Sequence, residues 1–315
     1  MKTATTLSRR LILAASIALA GAAWLNPASA ADPGSPVVKI NEATAKANVQ
    51  VETLRGNVSV LSGAGGNIIV YDSPQGKFVI DAGIAVAKDK VASALQGIGP
   101  APLKYLVNTH YHWDHTDGNA WMHAAGATLI GAPMTVTHLS ESTRVDDWNY
   151  TFDAQPKGAR PSIIVKGSKT MRFGGEEIQI KGFGKGHTDS DLWVYLKHAD
   201  VLALGDIFWN AYYPFIDNEH GGGIDNAILW ADKAIDASSG HTIIVPGHGA
   251  TGNRADLVAW RDMLVDVRDR VAALKKQGKS LEEVTAAKPT AAYDAKYGGF
   301  VINGDFFTKL VYDGL

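Results

Sequence analysis

The chain has 315 residues, with 30 Lys plus Arg against 32 Asp plus Glu, for a formal net charge of −2. It carries ten histidines and no cysteine, which excludes disulfides and thiolate metal ligands; any metal must be held by nitrogen and oxygen. The near balance of charge leaves no electrostatic footprint for nucleic acid.

Residues 1–30 read as a signal peptide. Lys2, Arg9 and Arg10 open the segment, residues 11–25 form an apolar, Ala-rich run, and Ala28-Ser29-Ala30 offers a small-residue cleavage site. The run is shorter than the roughly 20 residues of a membrane span, so no stable anchor is expected after cleavage. Ser8-Arg9-Arg10-Leu11-Ile12 resembles a twin-arginine export signal that lacks the lysine after its apolar pair; an ordinary Sec signal with two arginines is the alternative. Either route predicts a periplasmic or secreted protein. Cleavage would lower the basic count from 30 to 27 against 32 acidic residues, a net charge of −5.

Residues 31–50 are polar and spotted with Pro and Gly, and read as a lightly ordered lead-in. Short strands follow at 58–61, 67–71 and 77–80, rich in β-branched residues and separated by Gly and Pro. Residues 86–98 carry helical periodicity, and 103–107 form the next strand. Further strands are expected at 127–130, 170–173, 177–180, 191–196, 201–204 and 241–245. Residues 224–238 and 254–277 are amphipathic helices, and 306–312 a short terminal one. The loosest interior stretch is 155–161, a surface loop. The two halves share a rhythm without a strict repeat, and no long linker divides them. The reading is one α/β domain over residues 31–315, made of packed sheets with helices outside.

Chemistry concentrates after the 103–107 strand, in Leu-Val-Asn-Thr-His-Tyr-His-Trp-Asp-His-Thr-Asp-Gly, residues 106–118. Side chains at i and i+2 of an extended chain point the same way, so His110 and His112 can bind one metal. If the chain turns helical there, with Thr116 and Asp117 as caps, Asp114 and His115 are presented to a second metal beside the first. Burying four polar groups beside an apolar run without such a purpose costs heavily. His187 in Gly-Lys-Gly-His-Thr, Asp206 in Leu-Gly-Asp and His248 in Pro-Gly-His-Gly each stand in a glycine-rich setting beside or at the end of a strand. Alone, each is a modest signal; together with the first cluster they suggest one shared site.

This order of motifs resembles the metallo-β-lactamase-fold hydrolase superfamily, over about residues 58–249. The resemblance implies a four-layer αββα sandwich of two mixed sheets with outer helices and a site at one edge between the sheets. It assigns His110, His112 and His187 to one metal, Asp114, His115 and His248 to a second, and Asp206 to a bridge between them. Two divalent ions are implied, Zn2+ first, with Fe or Mn as alternatives. A metal-bound hydroxide, oriented by the catalytic Asp114, would serve as the nucleophile. The antibiotic-cleaving branches typically place Cys or Ser at the bridging position. Asp206 is instead similar to glyoxalase II-like thioesterases, lactonases and related esterases. The expected activity is hydrolysis of a lactone, ester, thioester or amide of small-molecule size. A β-lactamase is one alternative; an iron-dependent dioxygenase using His110, His187 and Asp206 is another; a metal-binding protein without turnover is a third. Oligomeric state is left open. Trp209, Tyr212, Tyr213, Pro214 and Phe215 are read either as a stretch overhanging the site or as core, Trp113 as a pocket wall and Tyr111 as packing beneath it. His220 is taken as a loop residue, and His123, His138, His198 and His241 as structural.

Overall fold

The computed structural model describes residues 34–315. The expected signal segment, residues 1–30, lies outside the described residues. Among the described residues the first sheet holds β1 (Gln50–Thr53), β2 (Val58–Ser62), β3 (Ile68–Ser73), β4 (Gly76–Ile80), β5 (Leu103–Val107) and β6 (Thr128–Gly131). After a β7–β8 hairpin (Thr143–Val145 and Tyr150–Phe152) it ends with β9 (Ile163–Ile164). Its strands run antiparallel from β1 to β4 and parallel from β4 to β9. The second sheet runs in order through β10 (Ser168–Phe173), β11 (Glu176–Lys181), β12 (Trp193–Leu196), β13 (Val201–Trp209), β14 (Ile243–His248) and β15 (Gly252–Asn253). There only β13 and β14 are parallel. The helices are α1 (Pro36–Lys46), α2 (Lys88–Ile98), α3 (Trp113–Thr116), α4 (Asn119–Ala124), α5 (Pro133–Ser140), α6 (Ile224–Ala237), α7 (Arg254–Lys276), α8 (Leu281–Ala286), α9 (Asp294–Tyr297) and α10 (Gly304–Asp313).

The strands are apolar on both faces because both faces are covered. Successive residues point to opposite sides, so each strand divides its side chains between two cores. In β3, Ile69 and Tyr71 enter the core between the sheets, while Ile68 and Val70 face the outer core under α2 and α4. In β12, Val194 and Leu196 meet them from the second sheet, while Trp193 and Tyr195 turn toward α6 and α7. Three cores separated by two sheets make the expected four layers, helix, sheet, sheet, helix.

The expected lead-in over residues 31–50 is corrected: it contains α1 and the start of β1. Pro36 sits in the first turn of α1, where its missing N–H costs nothing. Ser35 caps that turn by accepting the Val37 N–H, and buried Val37 anchors the helix. The loop at 155–161 contains a short 3-10 turn, Lys157–Ala159. The expected ends of β13 and β14 fall too early: both strands continue, to Trp209 and His248, and carry Asp206 and His248 within them.

Candidate metal centre

The strand ends that meet at one edge of the sandwich are tied across the two sheets. The Asn67 backbone N–H donates to the Gly247 carbonyl at 2.8 Å, and its amide Nδ2 donates to the carbonyls of Pro246 (3.0 Å) and Gly249 (2.9 Å). Leu192 N–H donates to the Thr109 carbonyl at 2.7 Å. These bonds bring the end of β5, the β11–β12 loop, β13 and β14 to one place.

The chain leaves β5 through Asn108, whose amide pairs with that of Asn119 at 2.9 Å. It bends through Thr109, His110 and Tyr111 and turns into α3 at Trp113. The expected caps are therefore corrected. Asp117 lies past the end of α3, where its carboxylate accepts the Ala85 N–H at 2.8 Å. The Thr116 hydroxyl donates back to the carbonyls of Tyr111 and His112, both at 3.0 Å. The helix starts early because Asp114 and His115 must both lie within its single turn.

All seven sequence-derived ligands come together, in two groups of buried side chains: His110, His112, His187 and Asp206, beside Asp114, His115 and His248. His112 Nδ1 lies 3.0 Å from His110 Nε2 and 2.9 Å from His187 Nε2. Asp206 Oδ2 lies 3.8 Å from His110 Nε2 and 3.6 Å from His187 Nε2. On the other side, Asp206 Oδ1 is 3.0 Å from His115 Nε2, and Asp206 Oδ2 is 3.5 Å from His248 Nε2. Asp114 Oδ2 stands between His248 Nε2 (3.2 Å) and His115 Nε2 (3.5 Å). Donors about 2.1 Å from a tetrahedral ion stand roughly 3.4 Å apart, and these separations bracket that value.

The outer ring nitrogens are occupied. His187 Nδ1 donates to the Phe215 carbonyl at 2.7 Å, His115 Nδ1 to Asp81 Oδ2 at 2.8 Å and His112 Nε2 to Asp217 Oδ2 at 3.0 Å. His110 Nδ1 contacts the Thr109 hydroxyl at 3.1 Å, and that hydroxyl donates on to Asp81 Oδ2 at 2.7 Å. These four rings are thus held with their lone pairs turned inward, the arrangement that metal-binding imidazoles need. On the inner side, His115 Nε2, His248 Nε2 and Asp206 Oδ1 are buried and make no well-aligned hydrogen bond, facing only one another and Asp114. Buried polar atoms are rarely left so. Three of them converging on one point fit a divalent cation.

The charges agree. Burial works against an ionised Asp206, yet His115 and His248 outweigh it and hold the carboxyl well below the usual range. Burial also opposes charge on His248, but Asp206 and Asp114 keep its ring protonated up to about 9. His187, where burial dominates, is pushed down to about 4. The centre is a set of imidazoles and carboxylates sharing protons that a metal would displace.

Two supporting carboxylates escaped the sequence reading. Asp81 serves both groups, through His115 directly and through Thr109 to His110. Its signal was akin to that of Asp206, a lone carboxylate directly after an apolar run and close to a glycine. Asp217 fixes His112 and also accepts from the Tyr111 hydroxyl and His220 Nδ1; nothing in its local sequence marks it. His220 is half-buried rather than solvated, and together with His138 it packs against Tyr111. His123, His138, His198 and His241 fall outside both groups. The 209–215 stretch divides: Trp209 and Phe215 line the cavity over the metal groups, while Tyr213 is core. Trp113 walls the cavity as expected, and Tyr111 packs against the His112 ring.

A family model described as "Metallo-beta-lactamase superfamily" matches residues 61–264. A metallo-beta-lactamase type 2 of Bacillus cereus is 22% identical over 159 residues, covering 50% of this chain and 57% of that protein. Among solved structures, the stereoselective inverting sec-alkylsulfatase Pisa1 from Pseudomonas sp. superposes with a TM-score of 0.65 at 17% identity, over 87% of this chain and 51% of that one. A metallo-beta-lactamase from Pontibacter korlensis does so at 0.52 and 17%, over 69% of this chain and 93% of that one. The chain spans little more than half the length of the first two. Identities this low carry the fold and not the substrate.

Proposed function

Because the chain belongs to the metallo-beta-lactamase superfamily, we propose that it is a dinuclear metal-dependent hydrolase cleaving a lactone, ester, thioester or amide. The observation that carries this reading is the convergence of seven buried imidazoles and carboxylates in two adjoining groups, with His112, Asp114, Asp206 and His248 at the floor of an open cavity. His110, His112 and His187 would hold one ion, Asp114, His115 and His248 the other, with Asp206 shared. Two such ions supply an acidified water and a polarised carbonyl oxygen.

The chain's own residues do the rest. Asp81 and Asp217 hold the imidazoles in the tautomers that face inward. Asp114, whose Oδ2 lies within 3.5 Å of both His115 and His248, orients the attacking water and takes up its proton. Water adds to the carbonyl carbon, the bond to the leaving oxygen, sulfur or nitrogen breaks, and the proton held at Asp114 passes to the leaving group. Zinc suits a set of imidazole and carboxylate donors, with iron or manganese as alternatives. The substrate is a small molecule, and we place the enzyme in the periplasm or medium on the strength of residues 1–30.

Elemental analysis of the purified protein, with a panel of lactones, aryl esters, thioesters and β-lactams, tests the reading. About two zinc ions per chain and turnover of a carbonyl substrate are expected. Asp206→Ala should lower that turnover by at least about 100-fold while the circular dichroism spectrum is kept. Turnover confined to β-lactams would move the assignment to the branch named by the Bacillus cereus relative. Iron with oxygen uptake would replace it by an oxygenase.

A further inference from the structure

The metal ligands all lie within residues 61–264, the part that matches the family. The walls of the cavity above them are drawn partly from outside that portion. The cavity has a volume of about 380 Å³. One wall is α1, which contributes Ile40 and Ala43, and the opposite side includes Phe300 and Val301 from the segment between α9 and α10. Both lie outside the family portion. Trp113, Trp148, Trp209 and Phe215 complete the enclosure. Away from the floor of His112, Asp114, Asp206 and His248, its polar side chains are the exposed Lys39 and the buried Thr44; the remainder is aliphatic, aromatic or glycine.

The enclosure is built rather than incidental. Helix α1 is fastened at three points: the Ser35 hydroxyl donates to the Trp148 carbonyl at 2.7 Å, Trp113 Nε1 to Asn41 Oδ1 at 3.1 Å, and Lys90 Nζ to the Ala45 carbonyl at 2.8 Å. The aromatic rings brace one another. Trp148 packs on Phe215 at 4.8 Å and Trp113 stacks on Phe152 at 5.3 Å. Phe300, 45% exposed, is placed 6.0 Å from both Trp209 and the His248 ring. The Phe300 ring offers apolar surface beside the candidate metal groups that a bound ligand would cover.

We propose that this enclosure selects substrates whose acyl group is a long alkyl or an aryl hydrocarbon, and that the segments flanking the family portion, α1 and residues 298–303, set that selectivity. The inference rests on the hydrolase reading for its chemistry and on the cavity wall for its class of substrate. Each methylene buried there raises kcat/KM by roughly two- to fourfold, until the chamber is full.

The experiment pairs turnover with binding. On the zinc-loaded protein, kcat/KM is measured for p-nitrophenyl acetate, butyrate and octanoate, and the affinities of decanoate and acetate are measured by calorimetry. An octanoate-to-acetate ratio of at least about 30, and decanoate bound at least 30-fold tighter than acetate, are expected. Phe300→Ser and, separately, Ile40→Ser should each reduce both ratios by about five- to tenfold. Phe300 is exposed enough that its loss leaves folding intact, and thermal melting checks each variant. Decanoate binding without ester turnover supports the chamber and overturns the esterase chemistry. Ester turnover with flat ratios in the unaltered protein overturns the chamber and leaves the chemistry standing.

Discussion

At the scale of single residues, the centre is decided by what stands behind the ligands. His112 is the clearest case, since its Nδ1 faces two other imidazoles and its Nε2 must be anchored to keep it there. Asp217 is that anchor, at 3.0 Å. Burial alone would neutralise it; hydrogen bonds from His112 and His220 instead hold its carboxyl well below the usual range. Asp217→Ala should weaken zinc binding by about 10- to 100-fold, as loss of such outer partners does elsewhere. Competition with a fluorescent chelator measures it directly. Activity at limiting zinc should fall in step and recover as zinc is raised. An affinity within twofold of the unaltered protein would remove Asp217 from the centre. The candidate ligands were legible because His-x-His-x-Asp-His and the three glycine-flanked positions are local patterns. Asp217 was not, because its partner lies 105 positions away and its neighbours Ile216 and Asn218 give no pattern.

At the scale of elements, the strands that carry ligands do so by leaving no room for alternatives. Gly247 in β14 shows this most directly, because a Cβ there would overlap Asp206 Oδ1 and press on the Gly205 and Asp206 backbone. The parallel β13–β14 pairing accommodates the crowding with register shifts around Gly205, whose φ of +54° is open to glycine at little cost. Gly247→Ala should therefore push the Asp206 carboxylate out of line while both sheets persist. A displacement near 1 Å commonly costs about 100-fold in rate. The variant should show that loss in kcat/KM and bind less than the full complement of zinc, with an unchanged far-ultraviolet spectrum. Full occupancy with full activity would show that Asp206 tolerates the shift. Periodicity marked ten of the fifteen described strands and the long helices α2, α6, α7 and α10, since residues buried on both faces leave continuous apolar runs; the short β1, β7, β8, β9 and β15 carry too little pattern to show. It missed α1, whose exposed residues made it look like a loose leader. Only contacts with Trp113 and Trp148, more than 70 positions away, reveal it as structure. The early ends assigned to β13 and β14 have a different cause: glycine and proline normally stop a strand, yet here the two strands go on pairing with each other past Gly205 and Pro246.

At the scale of the whole molecule, the four layers were legible in outline, from apolar strands and amphipathic helices. The edge at which the layers expose their strand ends was given only by the resemblance. That edge gathers opposing proton equilibria, and they dictate how stability responds to pH with and without metal. In chelator-treated protein, His248 has its folded pKa raised to about 9 from an ordinary 6.5. Its contribution is complete below pH 6.5 and is lost as pH rises through 9. His115 is raised well above 6.5 and acts in the same sense: burial opposes its charge, but Asp206, Asp114 and Asp81 prevail. His187 runs the other way, because burial lowers its folded pKa to about 4, so stability is lost as pH falls from 6.5 toward 4. His110 joins it, lowered by burial and by His115. The metal-free protein should thus be most stable near pH 6.5 and lose melting temperature on both sides. Zinc replaces the protons on His115 and His248, so the loaded protein should not share the alkaline decline. The melting-temperature gap between loaded and metal-free protein should widen steadily from pH 6.5 to 9.5. Below pH 6.5 it should narrow, as protons compete with zinc for the imidazoles. Scanning calorimetry at constant ionic strength, with and without zinc, measures both arms. A gap that stays constant across pH 6.5–9.5 would mean that His115 and His248 do not exchange protons for metal, and the two groups of ligands would then need another explanation.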